Sequence, residues 1–365
     1  MVSDDEFETE LGYAPLIRKY REQGREIEDA VSRDYLQQFD GLRRLKLAGL
    51  EREKAHRDLL NLCVYPFTET GRGSQELGYR FLYGSPLSEL DKPPFDFLIA
   101  RLLPADKPAI LLAGEGKSIV GSPIQTVNEV KKKHMVLEAN IEHVLETYLG
   151  QPRNRDYMIE PIIAVDSVDA NTMMNAVVEA GTDIKVWHGP ATGPESISIA
   201  VPPSSTTRRE RYLHADSRLN SLMNRLPSVR RAFDVWPKSH TLIQMGALIP
   251  AAHTVERGMV VRTGSLDGVL ERDLFYLPEA IRKDLARGIL GSGVTMGFLE
   301  HTMVADEYRV IARGLRRDVL EESLRDKWIK WQIGEDEAAE MARRKEVLRK
   351  EIRTERATVR TMDDY

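Results

Sequence analysis

Two apolar runs, Phe95 to Leu103 and Ala109 to Gly114, are joined by Pro104-Ala105-Asp106-Lys107-Pro108. Such runs, bounded by prolines and turn-forming residues, read as the two strands of a hairpin. In an antiparallel hairpin without a bulge, opposed residues keep a constant index sum. A turn centred on Ala105-Asp106 therefore sets Asp96 opposite Glu115. Opposed side chains share a face, with Cβ atoms about 5 Å apart. Lys117 joins that face if the strand continues through Gly116. Three charged side chains are thus expected at one end of a hairpin that is otherwise apolar.

Two carboxylates this close repel each other unless a cation sits between them or one is protonated. Magnesium suits the gap, because it takes oxygen ligands, keeps several waters and is commonly held by one or two carboxylates plus a substrate phosphate. A metal there activates water and stabilises charge developing on phosphorus. Lys117 would orient that water and bind the phosphate as a point charge.

Apolar spacing of three and four between Ala14 and Val64, as in Tyr35, Phe39, Leu42, Leu45 and Leu50, predicts two or three helices before the hairpin. After it come a helical segment from about Pro123 to Leu149, a strand from Ile159 to Val165, a helix from Ala170 to Ala180 ending at Gly181, and a strand from Asp183 to Trp187. The order β-β-α-β-α-β is that of a mixed sheet with helices packed on it. Pro, Gly, Ser and Thr cluster between Pro190 and Thr207 and mark a boundary. Ala251 to Gly314 reads as a small mixed or helical subdomain. Asp318 to Arg360 reads as a charged helix with Trp328, Ile329, Trp331 and Ile333 near its start. The expected division is 1–50 helical, 51–190 core and 191–365 for nucleic-acid binding or oligomerisation.

Pro94-Phe95-Asp96 and Glu115-Gly116-Lys117, followed by helix, strand, helix and strand, resemble the PD-(D/E)XK nucleases, the restriction-endonuclease-like superfamily. The resemblance runs from about Glu53 to Gly189, roughly a third of the chain. It implies an α/β fold with a restriction-endonuclease-like mixed β-sheet core flanked by helices, with a helical N-terminal region and mixed or helical C-terminal additions. It further implies a metal-dependent endonuclease that hydrolyses phosphodiester bonds in DNA, with RNA the other candidate substrate, in a restriction or defence role. Magnesium is the implied cofactor, with manganese as its substitute. Asp96 and Glu115 are the implied metal ligands, joined as in some members by a glutamate of the preceding helix, Glu51 or, preferred here, Glu53, and Lys117 is the implied catalytic lysine. Gln125 matches a glutamine that faces the site in some relatives, although Glu129 stands where a tyrosine often follows it. Asp91 rivals Asp96 for the first carboxylate but falls out of the hairpin register. A homodimer is implied, since two sites cut two strands.

Between Ser204 and His240 eight Lys/Arg face three acids, and Arg208, Arg209, Arg211, Arg230 and Arg231 are the candidate nucleic-acid contacts. The net charge of −5 argues only against a protein coated in nucleic acid. No apolar run approaches the roughly 20 residues of a membrane span, and the acidic start lacks the features of a secretory signal, so a cytoplasmic protein is expected. The single cysteine, Cys63, excludes an internal disulfide and a multi-cysteine zinc site, and its apolar setting predicts burial. Gly114-Glu115-Gly116-Lys117-Ser118 suggests a P-loop, but Leu111 stands where that motif needs its first glycine. A P-loop-like nucleotide binder, and a nucleic-acid-binding or assembly protein with a degenerate nuclease core, are the alternatives to a working nuclease.

Overall fold

The computed structural model describes residues 3–69, 71–82, 87, 90, 92, 95–104, 107–189, 197–202, 209–223, 242–256, 258–274 and 279–363. Its elements are α1 (Asp4–Leu11), α2 (Ala14–Val64), α3 (Arg72–Leu77), β1 (Tyr79–Leu82), β2 (Phe97–Arg101), β3 (Ala109–Lys117), α4 (Pro123–Ala139), α5 (Ile141–Thr147), β4 (Tyr157–Asp166), α6 (Ala170–Glu179), β5 (Lys185–Gly189) and β6 (Ser198–Ala200). These are followed by α7 (Ser217–Met223), α8 (Leu242–Met245), α9 (Leu248–Ala251), β7 (Ala252–Val255), β8 (Gly258–Arg262), α10 (Thr263–Asp273), α11 (Glu279–Thr295), β9 (Leu299–His301), β10 (Glu307–Val310) and α12 (Arg317–Asp363). The protein is a mixed α/β protein with a six-stranded mixed sheet, a four-stranded antiparallel sheet and long helices towards both termini. Among the described residues no helix is long and apolar enough to cross a membrane.

The two or three helices expected before the hairpin are one helix of 51 residues, α2. Pro15 lies in its first turn, where a missing N–H costs nothing, and the next proline is Pro66, just past its end. Gly24, Gly41 and Gly49 lie between them and weaken the helix by about 1 kcal/mol each without blocking it. The expected helix from Pro123 to Leu149 is instead two, α4 and α5, broken at Asn140, whose side-chain amide donates to Val136 O at 2.7 Å. A polar side chain competing for backbone groups ends helices in this way.

The chain divides into two units. One comprises Leu50–Ala251 and Val261–Leu290, and the other Met1–Gly49, Ala252–Val260 and Gly291–Tyr365. β6 pairs antiparallel with β5, so the sheet extends past residue 190.

In the first unit the strand order is β1-β2-β3-β4-β5-β6. β1, β2 and β3 form an antiparallel meander, β3, β4 and β5 run parallel, and β6 is antiparallel to β5. The crossovers from β3 to β4 and from β4 to β5 carry α4, α5 and α6, whose Val130, Val144 and Met173 pack on one face with Leu111, Ala113, Ile163 and Val165. The other face holds Ile110, Leu112 and Ala164 against Leu60, Leu62 and Cys63 of α2 and Leu219 of α7. A sheet covered on both faces needs apolar residues at every position, which is why β3 reads as a continuous run. Trp187 lies at the centre of the α2 face, stacked between Phe67 and Phe97 with ring centroids 6.0 and 5.8 Å away. Beside it is a buried polar chain. Trp187 Nε1 donates to His214 Nε2 at 2.9 Å, His214 Nδ1 meets Glu160 Oε2, and Ala215 N–H donates to Glu160 Oε1 at 2.7 Å. An indole N–H only donates, so the neutral His214 ring carries its proton on Nδ1, towards Glu160.

In the other unit, α12 runs antiparallel to residues 14–49 of α2. Lys19 pairs with Glu355, Glu28 with Lys345 and Arg43 with Asp326, so one number falls as the other rises. Phe7, Leu11, Tyr20, Leu348 and Ile352 form the core there. Ser3 and Glu6 close a capping box on α1.

Candidate functional site

β2 and β3 pair with Phe97 opposite Gly114 and Arg101 opposite Ile110. These pairs keep the index sum that the spacing predicts, and Asp96 lies one residue before β2, next to the pair Phe97–Gly114. Ala105 and Asp106, the expected turn centre, lie outside the described residues, as do Pro94 and Asp91. β3 continues through Gly116 to Lys117, so Glu115 and Lys117 share the face that packs on α4.

Gly116 points to the opposite face, under α2. A Cβ there would lie 2.7 Å from Leu60 Cδ2 and 3.4 Å from His56 Cε1. The missing side chain lets the helix approach the strand closely and brings Arg52, Glu53 and His56 to the strand end. These three residues, with Asp96, Glu115 and Lys117, line a cleft of about 390 Å³.

Inside the cleft Asp96, Glu115 and Lys117 each have a polar partner. Gly116 N–H donates to Asp96 Oδ2 at 2.9 Å, and His56 Nε2 is 3.8 Å from the same oxygen. Glu115 is buried and meets Lys117 Nζ at 3.0 Å through Oε1 and Lys133 Nζ at 2.5 Å through Oε2. Lys117 Nζ also reaches Glu129 Oε2 at 3.3 Å. Burial, and then the neighbouring Glu115 carboxylate, push the Asp96 carboxyl above the ordinary aspartate range, against the pull of His56, the Gly116 N–H and Lys133. Burial works against the Lys117 ammonium, but Glu115 and Glu129 outweigh it and its pKa is raised.

Glu53 reaches the cleft but pairs with Arg57 at 2.9 Å. Among the described residues no group of three or more His, Cys, Asp or Glu side chains is placed to hold a metal ion. The structure therefore brings together two carboxylates rather than the expected three. Gln125 is exposed on the first turns of α4 and does not line the cleft. Lys133, two turns further on, is the contributor that sequence reasoning missed. The available signal was the four-residue spacing from Gln125 to Glu129 to Lys133, which sets all three on one stripe of the helix.

Of the candidate nucleic-acid contacts, Arg208, Arg230 and Arg231 lie outside the described residues. Arg209 and Arg211 are exposed in the 3-10 turn Arg209–Tyr212. Arg211 Nη2 donates to Gly181 O at 2.8 Å, and its own carbonyl accepts from Lys185 Nζ at 2.8 Å. That places it by the start of β5, at the end of the sheet away from the cleft. Gly114 to Lys117 is strand and the next helix begins only at Pro123, so no P-loop turn leads from strand to helix there. The chain gives no match to any protein-family model, curated protein or solved structure.

Proposed function

We propose that this protein is a magnesium-dependent nuclease acting on DNA, with Asp96, Glu115 and Lys117 as its central residues. One observation carries the reading: Asp96, just before β2, lines one cleft with Glu115 and Lys117 of the neighbouring strand β3 and accepts from the Gly116 N–H between them. The arrangement around them agrees with the restriction-endonuclease-like core that the sequence resembles. An antiparallel meander is followed by a helical crossover to a parallel strand, and α2 backs the opposite face.

The carboxylates fit a hard cation, since the Asp96 carboxyl, its pKa raised by burial and then by Glu115, gains from a positive charge placed between the two. Asp96 and Glu115 would hold it, leaving positions for water and for phosphate oxygens. Bound magnesium supplies positive charge that activates water and offsets the charge developing on phosphorus. Lys117 holds a non-bridging phosphate oxygen and orients the attacking water. The Gly116 N–H keeps Asp96 aimed at the cleft, and Lys133 holds Glu115 in place when no metal is bound. Manganese would substitute, RNA is the other substrate class to test, and a restriction or defence role and a homodimer follow from the resemblance.

The test is cleavage of supercoiled plasmid and of single-stranded DNA, with and without magnesium, by the wild type and Lys117→Ala. Metal-dependent cutting that the substitution abolishes is the expected result. A second reading, a degenerate core that binds nucleic acid without cutting it, is favoured by the two lysines already occupying Glu115. On that reading no substrate is cut and Asp96→Ala leaves binding unchanged.

A further inference from the structure

The cleft lies at one end of a sheet edge that carries a second polar group, made by Asp166, Ser167 and His188 at the ends of β4 and β5. Lys117 stands opposite Val165, and Val165 opposite His188, so the three form one row across parallel strands. Residues of one row share a face, and two strand spacings put His188 about 9–10 Å from Lys117 along the same edge. Val165 between them is buried under α6.

The group is held rigidly. Ser167 N–H donates to Gly189 O at 2.9 Å, and Ser167 Oγ lies 3.1 Å from His188 Nδ1. Val168 N–H donates to Asp166 Oδ1 at 3.2 Å, which turns that carboxylate oxygen back on its own loop. Ser167 is exposed and His188 half-buried, and among the described residues His188 Nε2 takes no partner. The contact admits the tautomer in which the Ser167 hydroxyl donates to Nδ1, and in that tautomer Nε2–H is an outward donor. Burial lowers the His188 pKa against the pull of Asp166, so the ring is a neutral donor near pH 7.

We propose that Ser167 and His188 form a phosphate-binding subsite, in which His188 Nε2–H donates to a phosphodiester neighbouring the one held at Lys117. The inference rests on the nuclease reading for its substrate, and the tests separate the two. The probe is a short single-stranded oligonucleotide, its binding followed by fluorescence anisotropy in EDTA. His188→Asn is expected to weaken binding by about tenfold, and Ser167→Ala by less, the range of one lost hydrogen bond to a charged group. Because the lost donor is neutral, His188→Asn leaves the salt dependence unchanged, whereas Lys117→Ala flattens it. In cleavage, His188→Asn raises KM and preserves kcat, and magnesium binding by calorimetry is unaltered. In the wild type, the His188 side-chain nitrogen resonance shifts when the oligonucleotide is added, which tests the contact without any substitution. Wild-type binding by His188→Asn, or an unmoved resonance at saturating oligonucleotide, overturns the subsite. A protein that cuts nothing but still loses oligonucleotide binding in His188→Asn keeps the subsite and loses the nuclease reading.

Discussion

Lys133→Met removes one of the two ammonium groups that neutralise Glu115, and its cost can be worked from the contacts. The Glu115 side chain is 7% exposed and the Lys133 side chain 20%, and they meet at 2.5 Å. Breaking a buried pair costs about 3–5 kcal/mol when the remaining charge is stranded. Glu115 is not stranded, because Lys117 stays at 3.0 Å on its other oxygen. The loss is then that of one hydrogen bond to a charged group, about 2 kcal/mol. For a unit of roughly 200 residues this lowers Tm by about 4–8 °C. Thermal unfolding in EDTA reads that loss. On the nuclease reading, magnesium takes over the neutralising role of Lys133, so it raises the Tm of Lys133→Met by more than that of the wild type. Glu115→Gln/Lys133→Met should be about as stable as Glu115→Gln alone, since the lysine then has no carboxylate to meet. A Lys133→Met protein as stable as the wild type in EDTA would refute the argument that this pair holds Glu115.

Asp96→Asn should raise metal-free stability at neutral pH while keeping an acceptor for the Gly116 N–H. The folded Asp96 pKa lies above the unfolded one, so both states are protonated well below pH 4; as pH rises through the folded value, the wild type loses stability that the asparagine variant keeps, which a pH series of unfolding curves reads directly. Gly114→Ala would place a methyl group 1.9 Å from the Phe97 ring, which is stacked on Trp187 and has no free direction to move. Overpacking of this kind costs about 1–3 kcal/mol or more, so denaturant unfolding should show a clear drop, partly recovered by Phe97→Leu. His214→Ala strands the buried Glu160 carboxylate, whose pKa is held down by His214 and the Ala215 N–H against burial. A loss of about 3 kcal/mol is expected at neutral pH in chemical denaturation, shrinking as pH falls and the stranded Glu160 carboxylate of the variant is protonated.

The hairpin register was legible because two neighbouring strands leave little freedom. Once the turn is centred on Ala105-Asp106, Asp96 must oppose Glu115, and the observed pairs keep to that count. The crossovers were legible for the same local reason, apolar spacing that changes between strands and helices. The unity of α2 was not, because nothing in the spacing distinguishes a glycine that ends a helix from one that is carried through it; the absence of proline between Pro15 and Pro66 was the better guide. The four-residue spacing sets Lys133 on the stripe of Gln125 and Glu129, but that this stripe meets Glu115 depends on how α4 lies across β3, a tertiary fact. The Glu160–His214 link joins residues 54 apart, again beyond any local pattern.

The position of the charged residues follows from the sheet itself. β3, β4 and β5 run parallel, so their carboxyl ends share one edge, and the start of antiparallel β2 lies there too. Lys117, Ser167 and His188 come from those three ends, and Asp96 from the fourth. The strand interiors are covered on both faces and must be apolar, so an ionisable side chain on them is costly unless it is paired, as Glu160 is. Lys117, Ser167, His188 and Asp96 sit where the covering layers stop, although burial still raises the Asp96 pKa and lowers that of His188. Glu115 is the exception, buried one residue further in, and two lysines meet it. A carboxylate kept there against that cost, with cations supplied from both β3 and α4, is what a site needs if Glu115 is to exchange an ammonium partner for a metal ion.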